Sequence, residues 1–359
     1  MHYEIVENKK LLILHKSFFN DLHIQINTDE FEDILNIPDD YNILLLEIGE
    51  SIDCMAFNFP TFYSLLKKYN IKNKVFILTE TENEKYLEWV SSFGWTPITF
   101  YGFFTTLWPP NTIEAELSCA HIQRWLYDKM PTYKTDTFKK KFFTLNKSFR
   151  EHSTHRHRKD LFDFLKNENL LNDSYASFRF IPEFDNNFNE QIDDLSKIHH
   201  NETYHDQILI KDLYDNSFLF IITESRLDNH TINLIIHNSE NVPIEFESDY
   251  ITEKTTRVVA ANIPFVVIGP KGILKRLRKI GFKTFSEFWD ESYDDITDYE
   301  SRLEKIKEII KWVASKDLEE LTDIYNQMLP IFEHNKKILH SIEEINNQNV
   351  LKHIPTIFN

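Results

Sequence analysis

The segment from Asp249 to Phe285 holds the side chains best placed to do chemistry in this chain of 359 residues. It opens Asp-Tyr-Ile-Thr-Glu-Lys and runs into a stretch of helical character. Thr252 is a good N-cap, which predicts a helix over 253–261 with Glu253 and Lys254 in its first turn. Backbone N–H groups point outward at that end, and the helix dipole favours an anion there. A lysine at this place is unfavourable for the helix alone, so a negative partner is expected, and a phosphate would serve. A carboxylate beside it can accept two hydrogen bonds from vicinal hydroxyls, as ribose presents them. The pair therefore fits a nucleoside diphosphate; the plain alternative is a capped surface helix with an ordinary charge pair.

After this helix, Asn262-Ile263-Pro264 leads into a strand over 265–268. Gly269-Pro270-Lys271-Gly272 then opens an amphipathic helix that Gly281 ends. A strand, a glycine-containing turn and a helix N-terminus make a common approach to a phosphate. Neither GxGxxG nor Walker spacing is present.

Charge adds a second hint. The formal net charge is −17, from 57 acidic and 40 basic residues, and such a field opposes nucleic acid and anionic membranes. Yet Lys134, Lys139, Lys140, Lys141, Lys147, Arg150, Arg156, Arg158 and Lys159 stand together against only Asp136 and Glu151. Lys271, Lys275, Arg276, Arg278 and Lys279 form a second cluster. Each is a solvated face on the bland reading. Together they suggest a local anion site, as small as a diphosphate.

Other groupings point less clearly. His199-His200-Asn201-Glu202 has i,i+3 spacing, but zinc needs three or four converging ligands. His155-Arg156-His157-Arg158 sits at a helix start and favours phosphate contact over a metal. Cys119 near His121 reads as a buried structural cysteine. With Cys54 as the only other cysteine, no disulfide framework or cysteine-rich zinc module is available.

The elements that must position these residues alternate between strand and helix. Apolar runs at 11–14, 43–48, 75–78 and 98–101 read as buried strands, with helical spacing around Phe62–Leu66 and Tyr86–Val90. A helix is expected over 115–127 and a linker near 128–138. The pattern then restarts with strands at 142–145, 176–180, 218–223 and 265–268 and a helix over 157–165. Two successive α/β units predict two Rossmann-like domains facing a cleft, with ligands outside the carboxyl ends of the strands. The tail is helical: Leu303, Ile306, Ile310 and Val313 share a face, Ser315 is placed to cap the next helix, and Pro330 to stop it. The expected domains are 1–135, 136–300 and a helical tail over 301–359.

Composition bounds the class. Hydrophobic residues make up 42% and aromatics 14%, enough apolar surface to exclude a disordered chain. No apolar run reaches the length of a membrane span, and Met1-His2-Tyr3-Glu4 lacks the form of a signal peptide. A soluble, cytoplasmic protein without membrane partners is expected.

Asp249-Tyr250-Ile251-Thr252-Glu253-Lys254, with its following helix and Pro-containing strand, resembles the donor-binding motif of α1,3-fucosyltransferase-type glycosyltransferases. Phe218–Ser225, ending Thr223-Glu224-Ser225, resembles the family's preceding strand, where Asn follows the glutamate. Lys141–Asn146 and Arg158 resemble its opening donor-domain strand and phosphate-binding arginine, although Arg150 and Arg156 are close by. Stretches 146–177 and 252–294 also resemble uncharacterised viral and bacterial glycosyltransferase-like proteins. The resemblance covers roughly 139–295, and about two dozen residues separate Glu224 from Asp249, more than the family pattern suggests.

The resemblance implies the GT-B arrangement, with a nucleotide-diphosphate sugar as donor substrate held by the second domain. It implies donor contacts from Asn146, Arg158, Glu224, Tyr250, Thr252, Glu253 and Lys254. Glu253 would take the ribose, Lys254 and Arg158 the diphosphate, and Glu224 would position the donor or Lys254. Cations on the leaving diphosphate do what a metal would otherwise do, and no Asp-x-Asp motif ends a strand, so metal-independent transfer without a further cofactor is expected. An inverting reaction needs a base from the first domain. Glu47 is the candidate, with Glu50 and Asp53 behind it. The acceptor is open among glycan, protein and small molecule. A viral enzyme glycosylating modified DNA bases is an alternative that the net charge disfavours. A non-catalytic binding protein on a degenerate transferase scaffold is another.

Overall fold

A computed structural model describes residues 3–14, 34–47, 59–79, 84–101, 129–146, 156–178, 211–224, 230–234, 242–246 and 251–354. The first stretch carries β1 (Tyr3–Val6), β2 (Leu11–Leu14), β3 (Asn42–Glu47), α1 (Phe59–Lys68), β4 (Lys74–Thr79), α2 (Glu84–Ser92) and β5 (Thr96–Thr99). Next come β6 (Lys140–Asn146), α3 (Arg156–Asn167), β7 (Ser174–Phe178), the short α4 (Lys211–Asp215) and β8 (Ser217–Thr223). They are followed by β9 (His230–Leu234), β10 (Val242–Phe246), α5 (Glu253–Ala260), β11 (Phe265–Ile268) and α6 (Ile273–Ile280). Three helices close the described chain: α7 (Tyr299–Ala314), α8 (Leu318–Gln327) and α9 (Leu329–His353). The chain is α/β with mainly parallel sheets, consistent with a Rossmann-like α/β fold. The helix expected over 115–127 lies outside the described residues.

By contact the chain divides into two compact units. The first comprises Met1–Ala120, Asn229–Tyr250 and Ser341–Asn359; the second comprises His121–Asp228 and Ile251–His340. In the first unit, β1 to β5 form one sheet in sequence order, parallel except for the antiparallel β1–β2 pair. Side chains alternate cleanly between its faces, as the two-residue strand period demands. Leu12, Leu14, Ile43, Leu45, Val75 and Ile77 pack with Phe59, Phe62 and Tyr86 of α1 and α2. Their neighbours Leu11, Ile13, Leu44, Leu46, Phe76 and Leu78 pack with Val350 and Ile354 at the end of α9. Asn346 of α9 bonds both the N–H and the carbonyl of Tyr101, at 2.9 and 3.3 Å. The antiparallel ribbon β9–β10 belongs to this unit, with β10 beside α2.

The second unit has a four-stranded parallel sheet in the order β11-β8-β6-β7. All seven residues of β8 and all four of β11 are buried, which explains their unbroken apolar runs: a parallel sheet is covered on both faces. Phe143 and Phe220 meet edge-to-face at 4.7 Å, with Tyr214 against both. Residues 129–139 lack regular structure and are tied to this unit. Asn326 bonds the N–H and carbonyl of Lys134, and Phe138 packs edge-on against Phe218 and Tyr325. The order of the strands matters most for function. From β6 the chain crosses through α3 to β7 on one side, and from β8 it crosses through α5 to β11 on the other. The carboxyl ends of the adjacent strands β6 and β8 therefore flank a point where the connections diverge, the place at which open α/β sheets form a crevice.

Two details of the tail differ from the sequence expectation. Ser315 is the C-cap of α7 rather than the N-cap of α8; Asp317 caps α8 in a reciprocal box with Glu320. Pro330 does not stop α8, which ends at Gln327 with Met328 as its C-cap, but stands in the first turn of α9, where a missing N–H costs nothing.

Candidate functional site at the carboxyl ends of β6 and β8

The divergence between β6 and β8 is filled with buried polar side chains. Asn146 ends β6, is 1% exposed, and has its amide orientation fixed from both sides. Its Oδ1 accepts from the Thr223 hydroxyl at 2.6 Å, and its Nδ2 donates to Thr144 Oγ1 at 3.1 Å. Thr144 passes the chain of bonds on to the Ile221 carbonyl at 2.9 Å.

Glu224 follows β8 and is the organising residue. Its N–H donates to Ile268 O at 3.0 Å, and its carbonyl lies 2.7 Å from His157 Nε2. One carboxylate oxygen accepts from the Thr252 hydroxyl at 2.5 Å and the other from the Thr255 hydroxyl at 2.6 Å. The Thr252 hydroxyl in turn caps α5 by accepting from the Lys254 N–H at 3.3 Å. It also lies 3.4 Å from Lys254 Nζ. One proton given and two accepted saturate that hydroxyl. Glu224 therefore sets the position of the first turn of α5, and through it the half-buried Lys254. Gly269 comes so close that a Cβ there would lie 3.0 Å from Glu224 Cβ and 2.9 Å from Ile273 Cδ1.

Arg158 is buried in the first turn of α3, which leaves β6 on the other side of the divergence. Asn146, Arg158, Glu224, Thr252 and Lys254 thus stand at two strand ends and two helix starts, those of β6, β8, α3 and α5. Glu253 opens α5. Tyr250, Asp249 and Ser225 lie outside the described residues, as do Arg150 and His155. In the first unit Glu47 is the last residue of β3, at the carboxyl edge of that sheet; Glu50 and Asp53 lie outside the described residues. Residue types alone did not single out Thr255, and His157, expected in a run suited to phosphate contact, faces the Glu224 carbonyl instead. Their roles depend on Glu224, which is 31 and 67 residues away in sequence.

The glycine turn before α6 does not offer a second phosphate site. Gly272 takes φ +89° at the N-cap, and its N–H donates to Asp294 O at 2.9 Å. The Asp294 carboxylate then accepts from the N–H groups of Leu274 and Lys275 at 2.9 and 2.8 Å, filling the helix N-terminus with the protein's own anion. Burial raises the carboxyls of Asp294 and Glu291 above their ordinary values, against the opposing effect of Arg278 and backbone donors. Arg278 lies 3.2 Å from Glu291 and 3.6 Å from Asp294, so this member of the second basic cluster has a structural use.

The first basic cluster is dispersed in the same way. Lys141 donates to Ala314 O at the end of α7, at 2.6 Å, and Lys140 bonds Asn172 O. Lys134 donates to Asp215 O at 2.8 Å, and burial pushes its ammonium down. Arg156 pairs with Glu300 at 2.8 Å and lies over the Tyr299 ring, while Lys159 pairs with Asp163 at 2.5 Å. Lys134, Lys140, Lys141, Arg156 and Lys159 thus make contacts within the protein, and Lys147 and Arg150 lie outside the described residues.

A groove of about 500 Å³ runs between α3 and α7, away from this network. Its charges are matched internally: Lys307 with Glu304 at 2.7 Å, Lys311 with Glu168 at 2.9 Å, and the Tyr299 hydroxyl on Asp160 at 2.7 Å. No cluster of three or more metal-ligating side chains occurs among the described residues, and His199–Glu202, Cys54, Cys119 and His121 lie outside them. No helix among the described residues is long and apolar enough to cross a membrane. No family model matches the sequence, and no curated protein matches it.

Proposed function

We propose that the second unit binds a nucleoside diphosphate at the carboxyl ends of β6 and β8, and that the protein is a glycosyltransferase using a nucleotide-diphosphate sugar. The observation that carries this reading is the coincidence of two independent features at one place. The strand order puts the divergence of connections between β6 and β8. The residues there include a capped helix N-terminus bearing Lys254, a buried arginine in an opposing helix N-terminus, and a rigid hydrogen-bonded frame beneath them. Helix N-termini and cations are what a diphosphate requires.

In this reading Lys254 and Arg158 hold the diphosphate and stabilise the charge that collects on it as the glycosidic bond breaks. Glu253 takes the ribose hydroxyls, Tyr250 and Asn146 complete the donor contacts, and Glu224 holds Thr252 and, through it, Lys254. Transfer needs no metal because two protein cations serve the leaving group. The architecture implied is GT-B, with the acceptor bound by the first unit and Glu47 as its base. A viral origin with a modified DNA base as acceptor is the less favoured version, given the net charge of −17.

Lys254→Ala tests the assignment. Loss of one charge-assisted contact to a phosphate is expected to weaken nucleoside diphosphate binding by about tenfold or more, with the melting temperature unchanged. Unchanged affinity would remove Lys254 from the site.

A further inference from the structure

The two helix N-termini at the site leave the sheet in opposite directions, yet one side chain spans the divergence. His157 is fully buried in the first turn of α3, directly before Arg158, and its Nε2 lies 2.7 Å from the carbonyl oxygen of Glu224. A carbonyl can only accept, so Nε2 carries the proton. Glu224 in turn grips Thr252 and Thr255 in the first turn of α5. The connection therefore runs from the turn bearing Arg158, through His157 and Glu224, to the turn bearing Lys254. A buried imidazole is costly where an apolar side chain would pack equally well, unless its hydrogen bond matters.

We propose that His157 is a positioning residue that fixes the separation of Arg158 and Lys254, and hence the affinity of the site for a diphosphate. The proposal rests on the nucleotide-binding reading above. It concerns the geometry between the two cations rather than a contact with the ligand.

The test uses whichever of UDP, GDP, ADP and dTDP the intact protein binds most tightly by calorimetric titration. His157→Phe keeps a buried ring and removes the donor; it is expected to lower affinity about tenfold at a temperature where the variant is fully folded. His157→Gln can still donate to the Glu224 carbonyl and is expected to restore affinity to within about threefold of the parent. Combined with Lys254→Ala, His157→Phe should lower affinity by less than the product of the two single effects, because both act on the same contact.

If His157→Phe lowers only the melting temperature and leaves affinity unchanged, the residue is structural and the proposal is overturned. Should His157→Phe not fold, Thr255→Val removes one grip from the other end of the same connection. It is expected to weaken binding at least about threefold, and unchanged affinity there overturns the proposal equally. If the intact protein binds none of the four nucleotides, the underlying reading fails first and the proposal falls with it. That result differs from binding that is present and indifferent to His157.

Discussion

Glu224→Ala is the perturbation whose size follows most directly from the structure. The carboxylate accepts from two threonine hydroxyls, Thr252 and Thr255, which are 2% and 0% exposed. Each hydroxyl bond to an ionised acceptor contributes about 1.5–3 kcal/mol, and both donors would be left buried without that acceptor. Removing a buried carboxylate also returns its desolvation cost, so the net loss is about 3 kcal/mol. The second unit has about 200 residues, for which 1 kcal/mol moves the melting temperature by roughly 2–4 °C. Scanning calorimetry should therefore show its transition lowered by about 6–12 °C. Glu224→Gln keeps the shape and one acceptor, and turns the second contact around so that the amide donates. It loses charge assistance alone, about 1 kcal/mol, or roughly 2–4 °C. A Glu224→Ala transition within about 2 °C of the parent would refute the claim that Glu224 organises this edge.

Other perturbations separate causes that act close together. Gly272→Ala should cost about 1 kcal/mol through its φ of +89° alone, since nothing crowds a Cβ there. Gly269→Ala should cost about 1–3 kcal/mol by overpacking against Glu224 and Ile273, and should weaken nucleotide binding as Gly272→Ala does not. For pH, burial holds the Glu291 carboxyl above its ordinary value of 4.5, so the folded protein binds this proton more readily than the unfolded chain. That contribution to stability is fully present below the ordinary value and is lost as pH rises through the folded one. The stability of the parent relative to Glu291→Gln should therefore fall as pH rises above about 4.5, and parallel profiles would contradict the sign.

Much of the frame is legible in the sequence because parallel strands buried on both faces must be apolar throughout. Phe265–Ile268 is a strand at the expected bounds, and Thr252 and Gly281 bracket the helices they were expected to bracket. The β9–β10 ribbon is harder to see. It alternates Ile232 and Leu234 with Asn233, and Ile244 and Phe246 with Glu245, and is not a run. It also accounts for most of the long interval between Glu224 and Asp249: the chain leaves the second unit's sheet and returns. Asp317 with Glu320 is a capping box in plain sequence, and stronger than Ser315 as a signal. The basic clusters mislead for a physical reason. Lys134, Lys141 and Lys140 are neighbours in sequence, but their partners Asp215, Ala314 and Asn172 stand 32 to 173 residues away on separate elements. Asp294 shows the same limit, since it lies 20 residues beyond the amides it caps. Local composition reports that charges are present; only the strand order, which no local pattern encodes, decides which of them meet.

The central claim is that the second unit binds a nucleoside diphosphate without a metal. It is tested most directly by calorimetric titration of the full chain with UDP, GDP, ADP, dTDP and CMP, with and without a divalent cation. Saturable binding of one of the diphosphates, unaltered when the divalent cation is omitted, is the predicted result. A well-folded protein that binds none of them, or binds only when the cation is present, would contradict it.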